Sequence, residues 1–281
     1  MKCDLVDVFG SAPLRGNPLA VVHGADGLSD AEMLRLTRWF GFSETTFLVP
    51  PHDPSADYAV RIFYPGGELP FAGHPTLGTC HAWLEAGGVP KVQGRLMQEC
   101  GIGLVEVRGE VGRLALKAPP FTRTGPLSSE ERANAIRLGG VDAAAVVEAV
   151  HVANGPAWQL LRLRSADDVL AARPAADAPA GSDIGLAGPC VPGTDADWEL
   201  RAFFTNHQGR LIEDPVTGSF NAGVALHLFG AGLATDSYVA AQGRVTGADG
   251  RMTCEQHADG SVWIGGRCDT IAAGAELRSF G

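Results

Sequence analysis

The most strongly apolar parts of the chain are two stretches in which the hydrophobic positions recur every three or four residues. These positions are Leu77, Cys80, His81 and Leu84 in the first stretch, and Ala222, Ala225, Leu226 and Phe229 in the second. The spacing predicts a helix in each stretch, closed by Gly87 or Gly232. Because small residues lie on every side of both patterns, we expect helices surrounded by close-packed backbone, not helices lying on a surface.

Short apolar runs with β-forming residues surround these stretches and predict strands. They span residues 5–9, 19–22, 46–49, 59–63, 103–107 and 113–116, then 149–152, 159–163, 200–204, 251–255 and 261–265. Three further helices are predicted at 28–40, where Ser29 or Asp30 is the N-cap, at 129–138 and at 167–172. The segment 173–179, rich in Ala, Pro and Asp, is typical of a surface loop.

An internal repeat relates the two apolar helices. Pro70 to Gly78 and Pro215 to Gly223 have the same spacing of proline and glycine, with a displacement of 145 positions between Gly73 and Gly218. The match continues from 83–87 to 228–232 at that offset, and from 93–96 to 242–245 at an offset of 149. Two homologous halves explain it, with a boundary in the proline-rich segment 119–126.

Composition and charge narrow the function. The 281 residues include 22 Lys and Arg and 32 Asp and Glu, a formal charge of −10, so we expect no nucleic-acid partner. With 45% apolar and 19% charged residues the chain is typical of a globular protein. The six cysteines form no C-x-x-C pair, which argues against a disulfide framework or a zinc knuckle. The sequence shows no secretion signal and no membrane span, so we expect a cytoplasmic protein with free, mostly buried thiols.

The starts of the two repeated helices are candidate anion sites. A helix N-terminus has unpaired N–H groups and the positive end of the helix dipole, and glycine lets a ligand approach the backbone closely. Gly73 with His74 and Gly218 with Ser219 occupy these positions. A single turn of this kind is more simply explained as a helix start. Two related turns with different polar residues favour a carboxylate-binding function.

Four stretches carry a resemblance to a known family. They are FGSAPLRGNPLAVV from Phe9, FSETTFL from Phe42, RIFYPGGELPFAGHPTLGT from Arg61 and EDPVTGSFNAG from Glu213. In this order they resemble the PhzF phenazine-biosynthesis family of the diaminopimelate-epimerase-like superfamily. The resemblance implies an α+β fold of two homologous halves related by a pseudo-twofold axis, each a β-barrel-like sheet wrapped around a central helix. The active site would lie in the cleft where the two helix N-termini converge.

The expected domains are 1–120 and 121–267, with a tail from about 268 to 281 returning to the first domain. The resemblance also implies roles for six residues: Glu44, His74 and Asp214 as the catalytic groups, and Gly73, Gly218 and Ser219 as the substrate-binding groups. Taken alone, Glu44 fits a solvated surface charge, and Asp214 fits an N-cap of the second helix equally well. A carboxylate in an apolar cleft has a raised pKa, which suits a group that both accepts and donates a proton.

The epimerases of the superfamily use one cysteine from each half, but neither helix-start turn of this chain has one. A single-carboxylate proton shuttle is therefore favoured over a two-thiol mechanism. The implied function is a cofactor-independent isomerase of the trans-2,3-dihydro-3-hydroxyanthranilate type, which moves a proton within a small unsaturated carboxylate substrate. An epimerase or racemase on the same scaffold and a non-catalytic binding protein are the alternatives.

The sequence predicts neither a metal nor a dinucleotide cofactor. It has no H-E-x-x-H, no cluster of ligand residues and no G-x-G-x-x-G after a strand. His81 and His227 lie on the predicted helices, where packed polar groups are more common than metal ligands. The resemblance further implies a homodimer.

Overall fold

The structure, a computed structural model, describes residues 1–278. The chain divides into two units: unit 1 is Met1–Lys117 with the C-terminal segment that starts at Gly265, and unit 2 is Ala118–Ile264. The limits predicted from the sequence are residues 120 and 268. Residues 279–281 of its expected tail lie outside the described part of the chain.

Unit 1 is a ring of strands around one helix. Its elements are β1 (Lys2–Val8), β2 (Asn17–His23), α1 (Asp30–Phe40), β3 (Glu44–Val49), β4 (Tyr58–Tyr64), β5 (Gly67–Leu69), α2 (Gly73–Glu85), β6 (Arg95–Cys100), β7 (Gly103–Glu110) and β8 (Arg113–Lys117). The strand β17 (Val262–Glu276) pairs with both β8 and β1 and closes a ring of eight strands, with β5 appended to β4. All residues from Gly73 to Ala82 of α2 are buried inside this ring.

Unit 2 repeats the arrangement. Its elements are β9 (Arg123–Pro126), α3 (Ser129–Gly139), a short 3-10 helix (Ala143–Ala145), β10 (Val146–Ala153), β11 (Gln159–Leu163), α4 (Ala166–Ala171), β12 (Asp183–Pro189), β13 (Trp198–Thr205), β14 (Leu211–Asp214), α5 (Gly218–Gly230), β15 (Ser237–Gln242), β16 (Gly250–Gln256) and the first residues of β17. The helix α5 is buried for most of its length.

The strand pairings show that the two units have the same topology. From β1 to β7 the order is antiparallel, parallel, antiparallel, parallel and antiparallel, with β5 set aside. From β10 to β16 it is the same, with β14 set aside. The predicted α+β fold of two similar halves, each with a buried central helix, is confirmed. Both central helices have 13 residues, and the offset of 145 between their first residues holds.

One part of the sequence repeat is wrong. The match of 93–96 to 242–245 aligns the start of β6 with the end of β15, although these two strands occupy equivalent places after their central helices. Both segments contain a tight glycine turn, at Gly94 and Gly243, with φ of 74° and 104°. The likeness therefore reflects turn chemistry and not a common place in the fold.

The helices outside the sheets have clear local signals. Ser29 caps α1 and Ser128 caps α3, each in a capping box with a glutamate three residues later, and Gly41 and Gly140 end them in the left-handed conformation. The predicted start of the first of these helices at residue 28 is two residues early, because the capping serine lies at 29. The short helix α4 begins and ends one residue before its predicted bounds, after its N-cap Ser165.

Six strands, β5, β6, β9, β12, β14 and β15, were missed by the sequence pattern. Three of them have only three or four residues, and β12 has the sequence DIGLAGP, in which glycine and alanine replace the usual β-branched residues. Within β12, Gly185 has a packing reason. A Cβ on it would lie 2.0 Å from the ring of Phe220 on α5.

Candidate active site

The two central helices begin without a capping side chain. The N-cap residues are Ala72 for α2 and Thr217 for α5, and neither side chain hydrogen-bonds to the first turn of its helix. The first N–H groups of an uncapped helix have no intrahelical acceptors, and the helix dipole places partial positive charge there. Each unit therefore has a helix start that suits an anion.

The first turn of α2 is held from its inner side. The N–H and the hydroxyl of Thr76 both donate to the Ala72 carbonyl, at 3.2 and 2.9 Å. The buried Gln98 of β6 donates to the Thr76 hydroxyl at 3.0 Å. Pro75 occupies the third helical position, where its missing N–H removes no intrahelical bond. Hydrogen bonds thus hold the inner side of the turn, and the N–H groups of Gly73 and His74 lie at its N-terminal end.

Glu44 and His74 come together at this turn. Glu44 is the first residue of β3 and pairs with Leu19 of β2. Its Oε2 lies 3.6 Å from Nε2 of His74, with the Glu44 side chain 18% exposed and the His74 side chain 4% exposed. Glu44 is therefore not a solvated surface charge, and two of the three residues expected to be catalytic are neighbours within unit 1.

The His74 ring is neutral at pH 7. Burial lowers the pKa of His74 to about 3, and a hydrogen bond to the Pro18 backbone opposes this shift only in part. On the other side of the ring, Nδ1 lies 3.5 Å from the amide nitrogen of Asn17, the first residue of β2. A neutral imidazole next to a carboxylate forms no ion pair but can exchange a proton or a hydrogen bond with it.

The start of α5 is held by a buried network around Gln242. Gln242 accepts from the N–H of Thr217 at 3.1 Å and from the Asn221 amide at 2.8 Å, and donates to the Thr217 hydroxyl at 2.9 Å. Asn221 also donates to the Thr217 carbonyl at 2.9 Å. The Thr217 hydroxyl in turn donates to Oδ2 of Asp214 at 2.7 Å.

These contacts correct one interpretation of Asp214. The residue before α5 is Thr217, and the Asp214 carboxylate binds that residue's hydroxyl instead of the helix N–H groups. Asp214 therefore does not cap α5 directly. It lies at the end of β14 and fixes the residue that precedes the helix. Its assignment to the catalytic groups stays a prediction.

Ser219 occupies the place in α5 that His74 has in α2. Its Oγ accepts from the indole nitrogen of Trp158 at 3.0 Å, and its carbonyl oxygen accepts from the amide of Asn154 at 3.1 Å. Trp158 and Asn154 are 3% and 5% exposed. No spacing or motif in the sequence connects Asn154 or Trp158 with Ser219, so neither residue is among the predicted site residues.

The remaining histidines on the central helices make packing contacts. Nδ1 of His81 accepts from the Gly112 N–H at 3.2 Å, and its Nε2 lies 2.9 Å from the Thr270 hydroxyl. His227 lies 3.1 Å from Glu148. Within residues 1–278, no three His, Cys, Asp or Glu side chains are grouped as they would be around a metal ion. In the same part of the chain, none of the helices has the length and apolar character needed to span a membrane.

Comparison with known proteins extends these observations. The family model described as phenazine biosynthesis-like protein, PhzC-PhzF, matches residues 6–274. A trans-2,3-dihydro-3-hydroxyanthranilate isomerase from Pseudomonas fluorescens is 35% identical over 230 residues, which cover 80% of this chain and 78% of that protein. A fission yeast protein called Antisense-enhancing sequence 1 is 38% identical over 172 residues, but the match covers only 59% of this chain and 58% of the yeast protein.

Solved structures agree with the sequence matches. A structure titled as a predicted epimerase from Pseudomonas aeruginosa has 28% identity and a TM-score of 0.78, with 99% of both chains covered. A probable proline racemase from Agrobacterium radiobacter, at 15% identity and a TM-score of 0.63, shares the fold alone over 99% of this chain and 93% of its own. The chain belongs to the PhzC-PhzF, phenazine biosynthesis-like family, and it is an isomerase of that family.

Proposed function

We propose that this isomerase moves a proton between two carbons of a small unsaturated carboxylate, with Glu44 as the acid/base group. One observation carries the proposal: the Glu44 carboxylate lies 3.6 Å from a neutral, buried His74 at the uncapped start of α2. A neutral imidazole does not stabilise the charged form of a neighbouring carboxylate as a cation would, so the contact with His74 does not by itself lower the basicity of Glu44. Such a group suits both removal and return of a proton.

The proposed proton transfer requires no oxidant or reductant. Glu44 takes a proton from an activated C–H bond, and the electron pair of that bond enters the conjugated system of the substrate. The Glu44 carboxylic acid then returns the proton to another carbon, which completes the shift of the double bond. Main-chain N–H groups at the start of α2 stabilise negative charge on the substrate while the proton is on Glu44.

The family resemblance supplies the remaining roles in this proposal. Gly73, Gly218 and Ser219 bind the substrate, and His74 and Asp214 support the proton transfer. Ser219 suits carboxylate binding because a hydroxyl whose oxygen already accepts a hydrogen bond still has a proton to donate. Because two relatives are named trans-2,3-dihydro-3-hydroxyanthranilate isomerase, the proposed substrate is trans-2,3-dihydro-3-hydroxyanthranilate.

A two-thiol epimerase mechanism has less support. The nearest cysteine to the α2 start is Cys80, which is buried on the helix, and burial raises the pKa of its thiol to about 12. A thiol with such a pKa is a poor base at neutral pH. We also propose that the enzyme forms a homodimer, as the family resemblance implies, and that it needs no cofactor and is cytoplasmic, as predicted from the sequence.

Incubation with trans-2,3-dihydro-3-hydroxyanthranilate in deuterated water tests the function. We expect NMR to show a shifted double bond and mass spectrometry to show deuterium in the product, with the same rate in excess EDTA. A product with unchanged connectivity and one inverted, deuterated carbon would mean an epimerase. Binding without consumption or deuterium would mean a non-catalytic protein.

Loss of activity in EDTA, restored by one metal, would contradict the cofactor-independent mechanism. Light scattering measures the molar mass in solution and so tests the proposed homodimer.

A further inference from the structure

Ser219 is fixed at two atoms by the turn between β10 and β11. Trp158 donates its indole N–H to the Ser219 hydroxyl oxygen at 3.0 Å, and Asn154 donates its amide to the Ser219 carbonyl at 3.1 Å. Asn154 directly follows β10 and Trp158 directly precedes β11. Both donors therefore sit on strand ends and not in a long mobile loop.

The chemistry of this contact sets the direction of the hydroxyl proton. An indole N–H can only donate, so the Ser219 oxygen must accept from it. The Ser219 O–H bond is then turned away from the indole and remains available to an acceptor elsewhere. We propose that Trp158 is a positioning residue, which holds the Ser219 hydroxyl so that it donates to the substrate carboxylate. This inference rests on the proposed function, in which Ser219 binds that carboxylate.

Trp158 is itself held rigidly. Its ring packs on Phe220 with centroids 5.2 Å apart and is 3% exposed. Phe220 has room for its own ring only because residue 185 is glycine. Rigid support of a donor lowers the entropic cost of binding, since less freedom is lost when the ligand arrives. The rigid packing of Trp158 therefore favours a role for its contact with Ser219 in ligand binding.

Unit 1 has a similar contact in an equivalent place. His74 has the same helical position in α2 as Ser219 in α5, and its Nδ1 lies 3.5 Å from the amide of Asn17 at the start of β2. Trp158 precedes β11, the strand of unit 2 that corresponds to β2. In each unit, a side chain at the start of β2, or of its counterpart β11, thus contacts the second residue of the central helix.

Substitution of Trp158→Phe tests the inference, because the phenyl ring retains packing on Phe220 but has no N–H. The probe is 3-hydroxyanthranilate, a stable aromatic relative of the proposed substrate, whose Kd is measured for wild type, W158F, S219A and the double variant. We expect about 3- to 10-fold weaker binding in W158F, the range for one hydrogen bond. We expect no further weakening when W158F is added to S219A. With the substrate itself, KM should rise by a similar factor while kcat changes little.

Trp263→Phe is the matched control. Trp263 is 2% exposed and donates its indole N–H to the Ser261 hydroxyl at 2.9 Å, a contact of the same type at the start of β17. We expect its loss to leave Kd and KM unchanged. An equal effect of W158F and W263F would mean that W158F acts through general stability, which would overturn the inference.

The outcomes separate this inference from the function on which it rests. If wild type binds the probe and W158F binds it equally well, or if the two losses add in the double variant, the inference is wrong and the proposed function stands. If wild type neither binds the probe nor converts the substrate, both are wrong. Should W158F fold poorly, NMR of the Trp158 indole N–H decides: the probe should shift it in wild type and not in S219A, and an unshifted signal in wild type would contradict the inference.

Discussion

The helices outside the sheets and the helices inside them begin in opposite ways. In α1 and α3, a serine and a glutamate satisfy the first N–H groups in a capping box. In α2 and α5, no cap side chain does so, and buried glutamines, Gln98 and Gln242, fix the turn from the other side. A helix start that needs only stability is capped, because a cap contributes about 1 kcal/mol. An uncapped start lacks that stabilisation, and under the proposed function its N–H groups bind the substrate.

The two central helices also differ from each other at one position. The second residue is His74 in α2 and Ser219 in α5. His74 contacts the carboxylate of Glu44, whereas Ser219 accepts from the indole of Trp158. The two units thus share an uncapped helix start and differ in the side chain at its second position. Under the proposed function, this difference assigns proton transfer to unit 1 and substrate binding to unit 2.

Of the substitutions that test this difference between the units, Glu44→Gln should have the largest effect, and the effect should be on kcat. The amide has the size of the acid but cannot take a proton, so kcat should fall by about 100-fold or more while the Kd of 3-hydroxyanthranilate changes little. Steady-state kinetics and calorimetry measure the two quantities. Glu110→Gln, at an exposed strand end, is the control. A rate within a few-fold of wild type would remove Glu44 from the mechanism.

The neutral state of His74 predicts acid sensitivity. The unfolded chain binds its proton near pH 6.5 and the folded chain near pH 3, so between these values the unfolded state binds more protons and stability falls as the pH falls. From pH 7 to pH 4.5, wild type should lose about 2 to 3 kcal/mol more than His74→Gln. Urea unfolding at both pH values measures this difference.

Two further carboxyl groups do not obscure the acid test. Burial raises the pKa of Asp183 to about 6 and that of Glu199 to about 7, so both lower stability as the pH rises. They act equally in wild type and variant, and therefore cancel in the comparison. His207→Gln, at an exposed position, is the control. Parallel pH profiles of wild type and H74Q would show that His74 titrates normally in the folded chain.

Substitution of two equivalent glycines by alanine should lower the stability of the protein by different amounts in the two central helices. A Cβ on Gly223 of α5 would lie 2.4 Å from the Val152 carbonyl oxygen, which is backbone and cannot move aside. A Cβ on Gly78 of α2 would meet methyl groups of Leu19 and Val8, at 2.5 and 2.9 Å, which can rotate. We expect Gly223→Ala to cost about 2 to 3 kcal/mol and Gly78→Ala about 1 kcal/mol, by thermal unfolding. The reverse order would show that α2 is the more tightly enclosed helix.

The capping contrast predicts the smallest effects. Ser29→Ala or Ser128→Ala should each cost about 1 kcal/mol of unfolding free energy and leave KM unchanged. Ser219→Ala should differ from both by raising KM, although it also lowers stability, because the buried indole N–H of Trp158 loses its acceptor. If Ser219→Ala lowered the melting temperature as much as Ser29→Ala without a change in KM, the distinction between the two classes of helix would fail.

Much of the architecture could be predicted from local patterns. The repeat around Gly73 and Gly218 predicts the two central helices, and their all-round small residues predict their burial. Ser29 with Glu32 and Ser128 with Glu131 mark the outer helices, because a capping box is local in sequence. Strands such as β12 and β14 were missed since their pairing depends on neighbours far along the chain and not on their own composition.

At the candidate site, the sequence by itself determined which residues are proposed to carry the chemistry. Glu44, His74 and Ser219 lie in motifs whose order and spacing a family resemblance can identify. It could not predict that His74 is neutral, because a pKa depends on burial by residues distant in sequence. Nor could it predict that Asp214 holds Thr217 instead of the helix, or that Trp158 holds Ser219 across 61 positions. Those partners are chosen by strand pairing around each central helix, and hydrogen bonds of this kind exist only once that packing has formed.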